Sequence, residues 1–224
     1  MDLISCSTPS WFGGSSIFIV LFFALVTLLI AYYAYKMYRI AKQSSTLYFG
    51  LAFLSISISY FIQALFNFLK LKSIGSADLL FLSAKELAVS TIQLSVLAMI
   101  MHVLFMVLGF ALLAYVTLKE RGSKIFLLFV SLSFVAILFT PYFHIVFNLI
   151  VAIFLLFIAA QHYQRHAKLG TTTTFLVFSG FSLLFIGHIL MVAVNIVQTF
   201  YVLAHIITMV GYIVLLVSLL RVVK

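Results

Sequence analysis

Acid is scarce in this chain. Its 224 residues include four carboxylates, one cysteine, two prolines and one tryptophan, and charged residues of both signs make up 8%. Each shortage excludes something. The carboxylates Asp2, Asp78, Glu86 and Glu120 fall at or beyond the ends of the long apolar runs, which excludes carboxylate chemistry inside those runs. The lone Cys6 cannot close an internal disulfide. No Cys-x-x-Cys-His motif is present, so covalent attachment of a c-type haem is excluded. Pro9 and Pro141 both lie outside the apolar runs, which therefore carry no proline hinge.

Apolar bulk fills the remainder, with 66% hydrophobic residues, 25 Phe and a mean hydropathy of +1.31. That is far more apolar surface than a water-soluble domain exposes, and it indicates a multi-pass protein of the cell membrane. Seven runs, at about 15–36, 46–69, 91–118, 124–140, 142–162, 173–195 and 199–220, are read as helices crossing a hydrocarbon core of about 30 Å. A β-barrel would need short alternating strands, whereas these runs are apolar on both faces. The expected fold is an all-α bundle of seven transmembrane helices forming one membrane domain over residues 1–224.

A net charge of +9 raises the question of nucleic acid, and the placement of the charges answers it. Lys36, Arg39 and Lys42 follow the first run, Lys119, Arg121 and Lys124 the third, Arg165 and Lys168 the fifth, and Arg221 and Lys224 the last. All fall on one side of the expected bundle, while Lys70, Lys72 and Lys85 on the other are offset by Asp78 and Glu86. Cytoplasmic loops carry the Lys/Arg excess, so the N-terminus is expected outside and the C-terminus in the cytoplasm. Charges dispersed over short turns do not form a nucleic-acid surface, and the implied partner is the bilayer, with anionic headgroups as a secondary one. No basic region precedes the first run, so that run is expected to serve as its own insertion signal. Leu3-Ile4-Ser5-Cys6 has the form of a lipoprotein processing box but lacks the preceding apolar stretch. Trp11 reads as an interfacial anchor. In the longest connection, about 70–90, Leu79, Leu80, Leu82 and Leu87 suit either an amphipathic surface helix capped by Ser76 or an extension of the third helix.

The chain also repeats itself. His102-Val-Leu-Phe-Met106 with Gly109 and Phe110 is matched by His205-Ile-Ile-Thr-Met209 with Gly211 and Tyr212, the copies differing by the single residue Leu108. Arg39-Ile-Ala-Lys42 is matched by Arg165-His-Ala-Lys168, and the segment opening at Gly50 by the one opening at Gly180. These landmarks imply a 3+1+3 plan of parallel copies, with repeat A at about 15–119, a linking helix at 124–140 and repeat B at about 142–224. His102 and His205 would then face each other across the bundle axis.

Depth narrows the candidates. At 1.5 Å per residue, His102 lies about 16 Å below the outer surface, His188 about 10 Å and His205 about 9 Å, with His144 near the outer start of its helix. Gln63, Asn67, Asn148, Asn195 and Gln198 share that outer half, and together they suggest a polar cavity there. His162 and His166 are assigned to the cytoplasmic loop. Opposed imidazoles flanked by Gly109, Gly187 and Gly211 suit the axial ligands of a b-type haem. Met106 and Met209 add thioethers one helical turn from His102 and His205, and Met191 follows His188 at three residues, a soft set suited to copper. The expected function is a redox metal centre for electron transfer or sensing, with His102, His205 and His188 as ligands.

Two other classes compete. In helix count and repeat order the plan resembles sugar facilitators of the SWEET type and, more distantly, microbial rhodopsins. The first resemblance implies solute transport, but their Pro-Gln signature and proline hinges are missing here. The second implies retinal, yet the seventh helix has no interior lysine for a Schiff base. A ligand-sensing or accessory subunit would signal through a partner membrane or cytoplasmic protein, since no output domain follows Lys224. Catalytic residues are not assigned, because Ser55, Ser57 and Ser59 spread around their helix and suit helix-to-helix hydrogen bonding.

Overall fold

In lipid every backbone polar group must be satisfied within the protein, and uninterrupted runs of Leu, Phe, Ile and Ala do this as helices. The structure is a computed structural model that describes residues 13–76, 84–118, 123–140, 142–194 and 196–223, with side chains over 16–69, 96–118, 127–128, 130–140, 142–194 and 196–222. Its elements are α1 (Gly13–Ala41), α2 (Ser44–Ser76), α3 (Ala84–Leu118), α4 (Ser123–Leu138), α5 (Phe143–Leu169), α6 (Thr172–Ala193) and α7 (Thr199–Val223). The described residues contain no strand. Six helices, all but α4, are long and apolar enough to cross a membrane.

Two expectations change at this level, and one choice that the sequence left open is decided. The fourth run forms a helix of 16 residues, which rises about 24 Å against a hydrocarbon core of about 30 Å. α3 begins at Ala84, so Lys85 to Ala88 extend it rather than forming a separate surface helix, and Ser76 ends α2 rather than capping one. Leu79, Leu80 and Leu82, like Cys6 and Trp11, lie outside the described residues. His162 and His166 belong to α5 rather than to a loop. The His162 ring is half-buried and stacks on Phe181 at 5.3 Å.

The six long helices close a ring: α1 packs on α2, α2 on α3, α3 on α5, α5 on α6, α6 on α7, and α7 on α1, with α4 outside against α3 and α5. Phe53, Phe110, Phe181, Tyr212, Ile56 and Leu184 fill the interior and are fully buried. Phe18, Leu25, Phe61 and Ile153 point outward, the polarity expected of a bundle with lipid around it. Direction follows from two contacts between α3 and α5. Phe147 meets His102 at 5.7 Å between ring centroids, and further along both helices Arg165 Nη2 donates to the Thr117 carbonyl at 3.3 Å. These neighbours therefore run parallel, and α4 joins opposite ends of the bundle.

Close approaches recur at matched places. A Cβ on Gly109 would sit 2.5 Å from Ile56 Cγ1 and 2.9 Å from the Ala52 carbonyl, and one on Gly211 would sit 2.9 Å from Leu184 Cδ2 and 3.2 Å from the Gly180 carbonyl. Likewise Ser59 Oγ donates to the His102 carbonyl at 2.6 Å, while Gly187 faces the Ala204 carbonyl. One sequence offset relates Ala52, Ile56 and Ser59 to Gly180, Leu184 and Gly187, and also relates the helix ends Ala41 and Leu169 and the starts Ser44 and Thr172. A second offset relates Gly109 to Gly211 and His102 to Ala204. In this register His205 corresponds to Val103, so the two histidines are one residue out of step. Gly180 corresponds to Ala52 rather than Gly50, whose own Cβ would meet α1 at Ala34.

Candidate functional site

Polar groups within the ring reach one another through helix-to-helix hydrogen bonds. Ser55 Oγ donates to the Phe105 carbonyl and Ser57 Oγ to the Ala24 carbonyl, so with Ser59 the three α2 serines hold α3 and α1, as their spacing suggested. Ser59 also fixes His102, whose Nδ1 lies 3.1 Å from the Ser59 carbonyl and 2.8 Å from Ser59 Oγ. A carbonyl only accepts, so this Nδ1 carries the proton.

The same tautomer follows at two more histidines. His205 Nδ1 donates to the Tyr201 carbonyl at 2.8 Å, and His188 Nδ1 donates to Asn148 Oδ1 at 2.9 Å. Asn148 is buried on α5 and is itself held by donation from Nδ2 to the His144 carbonyl at 2.8 Å. This network leaves His188 Nε2 buried without a hydrogen-bond partner. A neutral imidazole protonated at Nδ1 has its lone pair at Nε2, so the unpartnered atom is an acceptor.

Aromatic rings surround these groups. Tyr60 meets His102 at 6.3 Å and Phe23 at 5.2 Å, and Phe23 stacks on His205 at 5.9 Å, so ring contacts link His102 to His205 through Tyr60 and Phe23. Phe110 meets His188 edge-on at 6.0 Å, and His188 lies within electrostatic reach of His102, His144 and His205. The hydroxyls of Tyr60 and Tyr212 share a hydrogen bond at 3.1 Å. One bond uses one of their two protons, which leaves a phenolic donor beside the histidines. Neither tyrosine was singled out from the sequence, where the available signal was a phenol far from either membrane surface.

The expected lining residues fare unequally. Asn148 is central, Gln63 and Asn67 are half-buried further along α2, His144 and Gln198 are exposed, and Asn195 lies outside the described residues. Met106 is fully buried one turn from His102, and Met209 is half-buried against the core. The expected cavity is occupied by a packed histidine and aromatic cluster; a groove of about 250 Å³ lies instead between α1 and α2. Among the described residues no group of three or more His, Cys, Asp or Glu could hold a metal ion. Compared with known proteins, the chain matches no protein-family model, no curated protein and no solved structure.

Proposed function

We propose that this multi-pass membrane protein carries a redox metal centre held by two of the imidazoles of His102, His188 and His205 together with a Met thioether, for electron transfer or sensing. The observation that carries the reading is the unpartnered Nε2 of His188, buried inside a bundle where a polar atom left without a partner costs about 1–3 kcal/mol. Metal-binding histidines characteristically donate the other ring N–H to a carbonyl or similar oxygen, the arrangement found at all three residues. A porphyrin would require displacing the Phe23, Tyr60, Phe110 and Phe147 rings packed on the imidazoles. A single soft ion needs far less room, and imidazole with the Met106 or Met209 thioether suits Cu(I). Copper is therefore favoured over haem.

The test is elemental analysis of gently solubilised protein, with absorption spectra before and after reduction. About one copper per chain, lost in His188→Ala and reduced in His102→Ala and His205→Ala, is the expected result. A Soret band lost in the same variants would replace copper by haem b, and protein with neither copper nor haem would overturn the reading.

The proposed topology places the N-terminus outside, the C-terminus in the cytoplasm and repeat A parallel to repeat B. Parallel α3 and α5 and the recurring Gly109 and Gly211 contacts support the parallel halves, and the one-sided placement of Lys and Arg supports the orientation. The same parallel halves favour a second reading, solute transport by rocking of one half on the other. Against it, the six long helices run unbroken, without the interrupted segments that line many transport sites. Solute flux into liposomes that disappears in His102→Ala and His205→Ala would support transport.

A further inference from the structure

The groove between α1 and α2 lies away from the histidine cluster and has a chemistry of its own. Leu28, Tyr32 and Tyr35 line it from α1, and Gly50, Leu51 and Leu54 from α2. Gly50 forms its floor against α1, where a Cβ would come within 3.3 Å of Ala34 Cβ. From Leu28 to Tyr35 the groove rises about 10 Å along α1, close to a third of a hydrocarbon core. It is open to the lipid face and lined almost wholly by carbon.

What continues the groove identifies its occupant. Leu28, Tyr32, Tyr35 and Arg39 follow the helical stripe of four-, three- and four-residue steps, so Arg39 stands on the groove's own face just beyond its end. Lys36 lies one turn after Tyr32, and both cationic side chains are exposed. Lys42 is turned aside, its Nζ 5.8 Å from the centre of the Tyr38 ring. Tyr32 and Tyr35, both more than half exposed, are suited to the polar-apolar boundary, as interfacial tyrosines are.

We infer that the groove between α1 and α2 binds one anionic phospholipid, an acyl chain lying between Leu28 and Leu54 and the phosphate meeting Arg39 and Lys36. The apolar lining supplies the chain's contacts and the two cations choose the headgroup. The site is independent of the metal reading and stands if the histidines bind nothing.

Native mass spectrometry of the full chain, titrated in detergent with phosphatidylglycerol and with phosphatidylcholine of the same acyl chains, tests it. The first phosphatidylglycerol is expected to bind about fivefold or more tightly than phosphatidylcholine, since each cation near an anionic headgroup is worth about that factor. Lys36→Gln with Arg39→Gln should remove the preference while the first lipid of either kind still binds. Leu51→Trp, which fills the groove from its exposed side, should abolish the first binding step, and the smaller Leu51→Phe should weaken it with helix content unchanged. Equal binding of both lipids to the parent chain would overturn the inference. So would a preference that survives Leu51→Trp and Leu51→Phe, or dimers that form in place of the lipid adduct.

Discussion

Asn148 is the residue on which His188 turns, since its Oδ1 accepts from Nδ1 and thereby leaves the acceptor at Nε2. Replacing Asn148 by Leu leaves a buried donor unpaired, with an expected loss of about 1–3 kcal/mol. Adding His188→Phe removes both polar partners, and most of the loss should return, because exchanging a whole hydrogen-bonded pair for apolar groups is close to neutral. Unfolding in a detergent titration followed by helix content measures both steps. If the double variant is no more stable than Asn148→Leu alone, the hydrogen bond is not what Asn148 contributes. The double variant should still lack the metal, which separates the structural role of the pair from its binding role. At this scale the sequence was readable where polarity contrasts with surroundings: a histidine or an asparagine inside an apolar run is conspicuous. Tyr60 and Tyr212 were not, because the chain has 11 tyrosines and most of them suit membrane surfaces without further explanation. Nor could spacing reveal that Ser59 holds His102 or that Asn148 holds His188, since those pairings depend on how separate helices rotate against each other.

Helix pairs meet where a side chain is missing. Gly109 lets α3 reach the Ala52 carbonyl, and Gly211 lets α7 reach the Gly180 carbonyl. Small residues at such crossings give the dispersion contact that drives association in lipid, where apolar helices gain nothing by hiding from water. A methyl at Gly109 would meet Ile56 and a backbone oxygen that cannot turn away, so Gly109→Ala should cost about 1–3 kcal/mol. Gly211→Ala should cost less, because its nearest neighbours are 2.9 Å and 3.2 Å away and belong to the flexible Leu184 side chain and the Gly180 carbonyl. The same detergent titration ranks them, and equal stability of Gly109→Ala and the parent would refute the crossing as described. Helix existence was legible from apolar length alone: α1, α2, α3 and α7 contain the runs read from sequence, and α5 and α6 match theirs to within two residues at one end. Register was not. Sequence matching aligned Gly50 with Gly180 because glycine is rare and visible, but the first crossing uses Ala52, which is small enough there and looks like any other alanine. The histidines attract alignment for the same reason, and α3 and α7 are unbroken helices in which a one-residue slip turns a side chain by about 100°.

For the molecule as a whole, the contested element is α4. Its 16 residues fall short of a full crossing by length, yet parallel α3 and α5 require the chain to return from one end of the bundle to the other between Leu118 and Phe143. A helix rising about 24 Å, continued by the residues on either side of it, completes that return if the bilayer thins or the flanking residues reach outward, a modest cost per ångström of mismatch. The proposed orientation depends on this crossing. If α4 failed to cross, Arg165 and Lys168 would face the side opposite Lys36, Arg39 and Lys42, and the one-sided excess of Lys and Arg that charge placement revealed would be split. Sequence made the charge bias plain but placed the end of the fourth helix two residues late, since the run was carried through Phe139 and Thr140 while the helix ends at Leu138. Single cysteines in a Cys6→Ser background resolve the question at exposed positions, Ser45→Cys after α1, Thr171→Cys after α5 and Gln198→Cys before α7. With a membrane-impermeant maleimide, Gln198→Cys should label on intact cells, whereas Ser45→Cys and Thr171→Cys should label only once the membrane is opened. Labelling of Ser45→Cys and Thr171→Cys from opposite sides would mean that α4 turns back within the membrane. The two halves would then be antiparallel, and the parallel repeat, with its matched Gly109 and Gly211 crossings, would have to be abandoned.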